Sequence, residues 1–158
     1  MKKILFLFLT LSLMLAACSS GANGSLESFD ASDLRSDLEE MSFQPQLPTL
    51  IPFEVNDTDL RKPPSSDNVL MIDFLSSDES SNQLSLMAVN GENVESSEMV
   101  FEEVEIDDIT GRYAVNDEDV MILKWSENGI SYNLTYYGEE TDHKVTKEEL
   151  IQTAASFE

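Results

Sequence analysis

Val120-Met121-Ile122-Leu123-Lys124-Trp125-Ser126-Glu127-Asn128-Gly129-Ile130-Ser131-Tyr132-Asn133-Leu134-Thr135-Tyr136-Tyr137 is the stretch that decides the fold. Val120 to Trp125 and Ile130 to Tyr137 are rich in β-branched and aromatic residues. The Asn128-Gly129 pair between them supplies the two residues that most readily adopt positive φ, which is the hairpin signal. Met121, Leu123 and Trp125 recur at every second position, as do Ile130, Tyr132, Leu134 and Tyr136, so each strand presents one apolar, aromatic-rich surface. Those surfaces are expected to pack together or on a helix. Trp125, Tyr132, Tyr136 and Tyr137 have a second reading, as the lining of a groove for an acyl chain or a glycan.

Working outward from this hairpin, further strands are predicted upstream. Val69 to Leu75 has the length and bulk of a buried strand, and Gln83 to Val89 alternates with Leu84, Leu86 and Ala88 on one side. Ser76 to Asn82 turns the chain between them and Asn90-Gly91 ends the second. Val100, Glu102, Val104 and Ile106 share one side of a third strand. Thr110-Gly111 is expected to break the chain before Arg112 to Val115. Asn56 to Asn68, with Pro63-Pro64, is expected to be loop, and the prolines at 45, 48 and 52 make Gln44 to Phe53 extended, laid on the core through Leu47, Leu50 and Phe53.

Helices are expected at both ends of this sheet. Leu34, Leu38 and Met41 follow helical spacing from Ala31 to about Phe43, with Ser32 or Asp33 as the cap. Thr146-Lys147-Glu148-Glu149 is a capping-box sequence ahead of a stripe formed by Leu150, Ile151, Ala154 and Phe157. Helix, consecutive antiparallel strands and a terminal helix define an α+β domain over residues 31–158. At 158 residues the chain is long enough for one domain with an ordinary core.

The N-terminus reads differently. Lys2 and Lys3 precede an apolar run from Ile4 to Leu15, then Ala16, Ala17 and Cys18, the order of an export signal. Twelve helical residues rise about 18 Å, short of the roughly 30 Å hydrocarbon core, so a permanent span is disfavoured. Leu15-Ala16-Ala17-Cys18 resembles the lipobox of bacterial lipoproteins, in which the cysteine thiol receives a diacylglycerol and becomes the first mature residue. Ordinary secretory cleavage would need a small side chain where Leu15 stands. Residues 1–17 are therefore read as a lipoprotein signal peptide, Cys18 as the lipidation site, and residues 18–30, with Ser19-Ser20-Gly21, as a flexible tether. Cys18 is the only cysteine, so no disulfide can form within one chain.

Charge restricts the partners. Asp and Glu number 31 against 9 Lys and Arg, a formal net charge of −22, and losing Lys2 and Lys3 deepens the imbalance. Nucleic acid, whose binding needs cations against phosphates, is excluded as a partner, and anionic headgroups would repel the domain. Membrane attachment is thus expected to come from a diacylglycerol anchor at Cys18, facing outside the cytoplasm.

No residue set points to catalysis, a cofactor or a metal. Sequence-adjacent carboxylates such as Glu102-Glu103 project to opposite faces of a strand and cannot share a proton. Asp117-Glu118-Asp119 offers hard oxygens for a weakly held Ca²⁺, but EF-hand spacing fails because Met121 and Ile122 fall fifth and sixth. His143 stands alone, without a thiol to join it around zinc and without a G-x-S-x-G nucleophile motif.

The order Leu123-x-Trp125, Gly129, Tyr132-x-Leu134, followed by Lys147-Glu148-Glu149-Leu150-Ile151 and Ala154-Ala155-Ser156, resembles a domain of unknown function in Gram-positive extracytoplasmic lipoproteins and anti-sigma-factor-like membrane proteins. Leu47-Pro48 and Ile51-Pro52-Phe53 are similar to its opening. The resemblance implies a relation to half-barrel lipoprotein carriers and envelope sensors, in which a curved antiparallel sheet wraps around helices. It brings no catalytic residues, and the transmembrane and sigma-binding segments of the anti-sigma members are not expected from this sequence. The expected function is a membrane-anchored surface lipoprotein acting as a non-catalytic binding or sensor module of the cell envelope, with an envelope protein or hydrophobic ligand as partner. The alternative is a carrier that holds an acyl chain in the concave face of its sheet.

Overall fold

The computed structural model describes residues 26–64, 66–76, 82–91, 99–138 and 144–158. In chain order the elements are β1 (Glu27–Ser28), α1 (Ser32–Leu38), β2 (Leu50–Ile51), β3 (Asp57–Arg61), β4 (Val69–Leu75), β5 (Gln83–Asn90), β6 (Glu102–Ile106), β7 (Ile109–Val115), β8 (Met121–Glu127), β9 (Ile130–Tyr137) and α2 (Lys147–Ala155). Strands β3 to β9 form one antiparallel sheet of seven in the order β3-β4-β5-β9-β8-β7-β6, and β1 pairs with β2 in a separate ribbon. The architecture is α+β, and the large sheet stays open, with β3 and β6 at its edges.

The β8–β9 hairpin turns on Asn128 and Gly129 alone, at φ 52° and 79°. Positive φ at both central residues gives a turn whose twist matches the flanking strands, so Ser126 and Glu127 extend β8 rather than joining the loop. The register opposes Met121 to Tyr136, Leu123 to Leu134 and Trp125 to Tyr132. Directly opposed residues project to the same side, so the two apolar surfaces read from the sequence are one face. Pairing of β9 with β5 continues that face through Leu84, Leu86 and Ala88, and β4 adds Leu70, Ile72 and Phe74. The sheet is therefore two meanders, β3-β4-β5 and β6-β7-β8-β9, zipped together along β5 and β9.

Several expectations are corrected. Residues 56–68 are not all loop, because β3 pairs along β4 from Asp57 opposite Leu75 to Arg61 opposite Met71. Its Asp-Thr-Asp-Leu-Arg sequence has weak strand propensity, but alternating charges suit an edge that must not recruit another chain. The break expected at Thr110-Gly111 falls instead at Asp107-Asp108, with Asp107 at φ 48°, and β7 runs through Gly111. A side chain at Gly111 would put Cβ 2.6 Å from Ile106 Cδ1 and 3.2 Å from the Lys124 carbonyl oxygen, so this glycine permits close packing, not a turn.

The first helix is shorter than its apolar spacing suggested, ending at Leu38, with residues 39–43 in turns and bends. Neither Ser32 nor Asp33 caps it. Ala31 occupies that position, and the Ser32 N–H donates to Asp30 Oδ1 at 3.0 Å. Part of the segment assigned to the tether is paired structure, since Glu27 and Ser28 oppose Ile51 and Leu50, and the Phe29 ring meets Phe74 edge-on at 5.2 Å. The proline-rich stretch is extended as expected and buries Leu47, Ile51 and Phe53, with Ile51 in the place expected of Leu50. It is tied to the C-terminus by paired backbone bonds between Leu47 and Glu158 at 3.2 and 3.1 Å.

The second helix begins as its sequence predicts. Glu149 N donates to Thr146 Oγ1 at 3.2 Å, and Thr146 N donates to Glu149 Oε2 at 2.7 Å, a reciprocal capping box. Thr146→Ala is expected to cost about 1 kcal/mol of stability, read from urea unfolding, because it strands an N–H of the first turn. An unchanged midpoint would show that the cap is not coupled to the domain's cooperative unfolding.

Candidate functional site

Alternation along the strands divides the large sheet into an inner and an outer face. The inner face carries the core. Leu84, Leu123, Leu134, Phe74 and Ile72 are buried in one cluster with Leu34 and Leu38 of α1, Leu47 and Ile51 of the proline-rich segment, and Leu150 and Ala154 of α2. Trp125 stacks on Tyr132 at 4.9 Å with 13° between the rings, and Phe157 meets both edge-on at 5.0 and 5.7 Å. Tyr136 donates from its hydroxyl to Asn82 Oδ1 at 2.6 Å, and Tyr132 Oη accepts from Gln46 N at 3.1 Å. A carrier would need large apolar side chains around open space on this face. Among the described residues these side chains are buried against one another.

Burial raises the phenol pKa of Tyr113, Tyr132 and Tyr136 above the ordinary value, with nearby carboxylates at Glu102, Glu127 and Glu149 adding to the shift at the respective rings. The folded state then keeps protons that the unfolded chain releases as pH passes about 10. Stability is full below that value and falls as pH rises through it toward the folded-state values. Absorbance at the phenolate band should show these tyrosines ionising together with unfolding above pH 10; titration of these three as free phenols in a still-folded protein would contradict this.

The outer face carries a concave site. A pocket of about 300 Å³ opens over β4, β5 and β9, with Arg61 of β3 at its rim, and Met71, Ser85, Met87, Asn133 and Tyr137 are among its lining residues. Asp73 lies beneath it on the same face, opposed to Ser85 and Asp59 in register, and is only 6% exposed. A carboxylate so placed must be compensated. Ser85 Oγ donates to Asp73 Oδ1 at 2.5 Å, Gln83 Nε2 donates to Ser85 Oγ at 3.0 Å, and the Arg61 guanidinium pairs with Asp73 through Nη2 and with Asp59 through Nε at 3.3 Å. The result is a fixed polar relay, Gln83 to Ser85 to Asp73 to Arg61 to Asp59, of which Gln83, Ser85 and Arg61 line the pocket.

Sequence reading singled out none of Arg61, Asp73 or Ser85. A signal was present in Val69-Leu70-Met71-Ile72-Asp73-Phe74-Leu75, where one carboxylate interrupts a strand flanked by apolar residues on both faces. Of the four aromatics considered for core or groove, Trp125, Tyr132 and Tyr136 are core, whereas Tyr137 is 45% exposed on the outer face. Cys18 and His143 lie outside the described residues.

The remaining carboxylate candidates are not brought together. Glu102 and Glu103 oppose Tyr113 and Arg112 on opposite faces, and Glu102 accepts from Lys147 Nζ at 2.8 Å. The Asp117-Glu118-Asp119 turn is organised by Asn116, whose Oδ1 accepts from the N–H groups of Glu118 and Val120, each at 2.9 Å. Asp119 Oδ2 lies 4.0 Å from Lys144 Nζ. Among the described residues no group of three or more His, Cys, Asp or Glu side chains is arranged to hold a metal ion. No described helix is long and apolar enough to cross a membrane. No protein family, curated protein or solved structure matches the chain.

Proposed function

We propose that the chain is a lipid-anchored, non-catalytic binding or sensor module of the cell envelope, held outside the cytoplasm by a diacylglycerol on Cys18. The observation that carries this reading is Leu15-Ala16-Ala17-Cys18, in which the only thiol of the chain follows an apolar run led by Lys2 and Lys3. On this reading the tether lets the α+β domain stand clear of the bilayer and present its outer sheet face to a partner. The helices belong to the inner side, a placement supported by the burial of Leu34, Leu38, Leu150 and Ala154 in one cluster with the inner-face side chains. A sheet curved around them as an open half-barrel is part of the proposal, as is kinship with the extracytoplasmic lipoprotein and sensor domains that residues 123–134 resemble.

Fractionation tests it. The chain expressed in a Gram-positive host should be found with membranes, resist extraction by high salt, and enter the detergent phase on phase separation. External protease should reach it in intact cells. A salt-extractable chain, or one protected inside intact cells, would remove the anchored, outward-facing reading.

A further inference from the structure

We infer that the outer-face pocket over β4, β5 and β9 is a binding site for a neutral saccharide unit, with the Tyr137 ring as its platform. The inference deepens the binding-module reading by naming its ligand class. The pocket's volume of about 300 Å³ lies at the small end of ligand sites, which run from about 300 to 1,000 Å³. That suits one or two small rings better than an acyl chain.

Charge and hydrogen bonding narrow the ligand further. The one guanidinium at the rim is shared between Asp59 and Asp73, so the wall holds no spare positive charge for an anion. The polar groups that remain come mostly from neutral side chains. Gln83 spends its Nε2 on Ser85, which turns Oε1 away as an acceptor. Thr135 Oγ1 donates to Asn133 Oδ1 at 3.3 Å, which leaves the Asn133 Nδ2 donors for a ligand. An acceptor and a donor on adjacent strands match hydroxyl groups, each of which both donates and accepts. Tyr137 stands opposite Gln83 in the β5–β9 register, four residues along β9 from Asn133, at 45% exposure, and the electron-rich face of its ring fits the weakly positive C–H face of a pyranose.

The polar wall is also built to stay still. Asp73, nearly buried, anchors Ser85, and Ser85 orients Gln83, so the acceptor position is set before a ligand arrives. A buried carboxylate serves little packing purpose on a sheet face that could have been apolar.

The test is calorimetric titration of the full-length chain in mild detergent with maltotriose and with chitotriose, and separately with trialanine and trilysine as peptide probes. At least one saccharide should bind with Kd on the order of 1 mM or tighter. Tyr137→Ala should weaken that binding at least about tenfold, Asn133→Ala by about fivefold, and Tyr137→Phe by no more than about twofold, which corresponds to one stacked ring and one hydrogen-bonding side chain. Near-ultraviolet circular dichroism of Trp125 reports whether each variant keeps its core. Absence of saccharide binding at about 20 mM ligand overturns the inference, as does binding of a peptide probe in its place, or saccharide binding indifferent to Tyr137→Ala in a folded variant. Lipidation of Cys18 is scored on the same preparations, so loss of the saccharide site and loss of the anchor are separate results.

Discussion

Trp125→Ala is expected to destabilise the domain by about 3–5 kcal/mol, the largest effect of any single substitution argued for this chain. Trp125 is 5% exposed, stacks on Tyr132 across the β8–β9 pair and receives Phe157 edge-on, so it joins the sheet to the segment following α2. Its indole Nε1 has no hydrogen-bond partner among the described residues. Truncation therefore removes apolar burial and leaves a cavity, with no hydrogen bond lost to confuse the measurement. Against a total stability of about 5–15 kcal/mol, such a loss should lower Tm by on the order of 10–20 °C. Tyr137→Ala, at the other face of the same hairpin, should cost less than about 1 kcal/mol. A Trp125→Ala loss below about 1 kcal/mol would show that the aromatic cluster does not hold the C-terminal segment to the sheet.

Cys18→Ala is expected to abolish lipid attachment altogether. Two acyl chains contribute about 0.8 kcal/mol per buried methylene, whereas a single chain gives only marginal binding. The net charge of −22 opposes adsorption of the domain to anionic headgroups in their place. The variant should lose incorporation of a labelled fatty acid and should be recovered with the signal uncleaved or in the medium. Labelling undiminished in Cys18→Ala would place the lipid elsewhere and withdraw the role given to this thiol.

The parts of the fold legible from residues alone were those in which local chemistry leaves one choice. Asn128-Gly129 permits the positive φ that a two-residue hairpin needs, and Thr146 with Glu149 satisfies two N–H groups at once, so both features stand where they were expected. Leu84, Leu86 and Ala88 recur at every second position of β5 and are buried, whereas Ser85 and Met87 between them are half-exposed, which marks the face that turns inward. The misread segments are those decided by distant partners. Asp57-Thr58-Asp59-Leu60-Arg61 becomes a strand because β4 offers it a free edge, an opportunity invisible in its own propensities. Gly111 looked like punctuation because its reason, the nearness of Ile106 and the Lys124 carbonyl, lies across two strand pairings. The apolar spacing through Met41 was real, since Met41 packs against the core, but the chain delivers it there from a turn rather than a longer helix.

The candidate site was less legible for the same reason. Arg61, Asp73, Ser85 and Tyr137 come from four strands, and only the register of β3, β4, β5 and β9 puts them on one surface. A lone aspartate inside Val69–Leu75 marked the place without saying what would compensate it. Tyr137 illustrates the limit of alternation: it adjoins the buried Tyr136, and in a strand adjacent residues must face opposite ways.

The measurement that bears most directly on the anchored-module account is the intact mass of the protein extracted from the envelope of a Gram-positive host. A chain beginning at Cys18 and heavier than its polypeptide by a diacylglycerol is the predicted species. A chain of unmodified polypeptide mass, whether it still begins at Met1 or starts at any other residue, would contradict it.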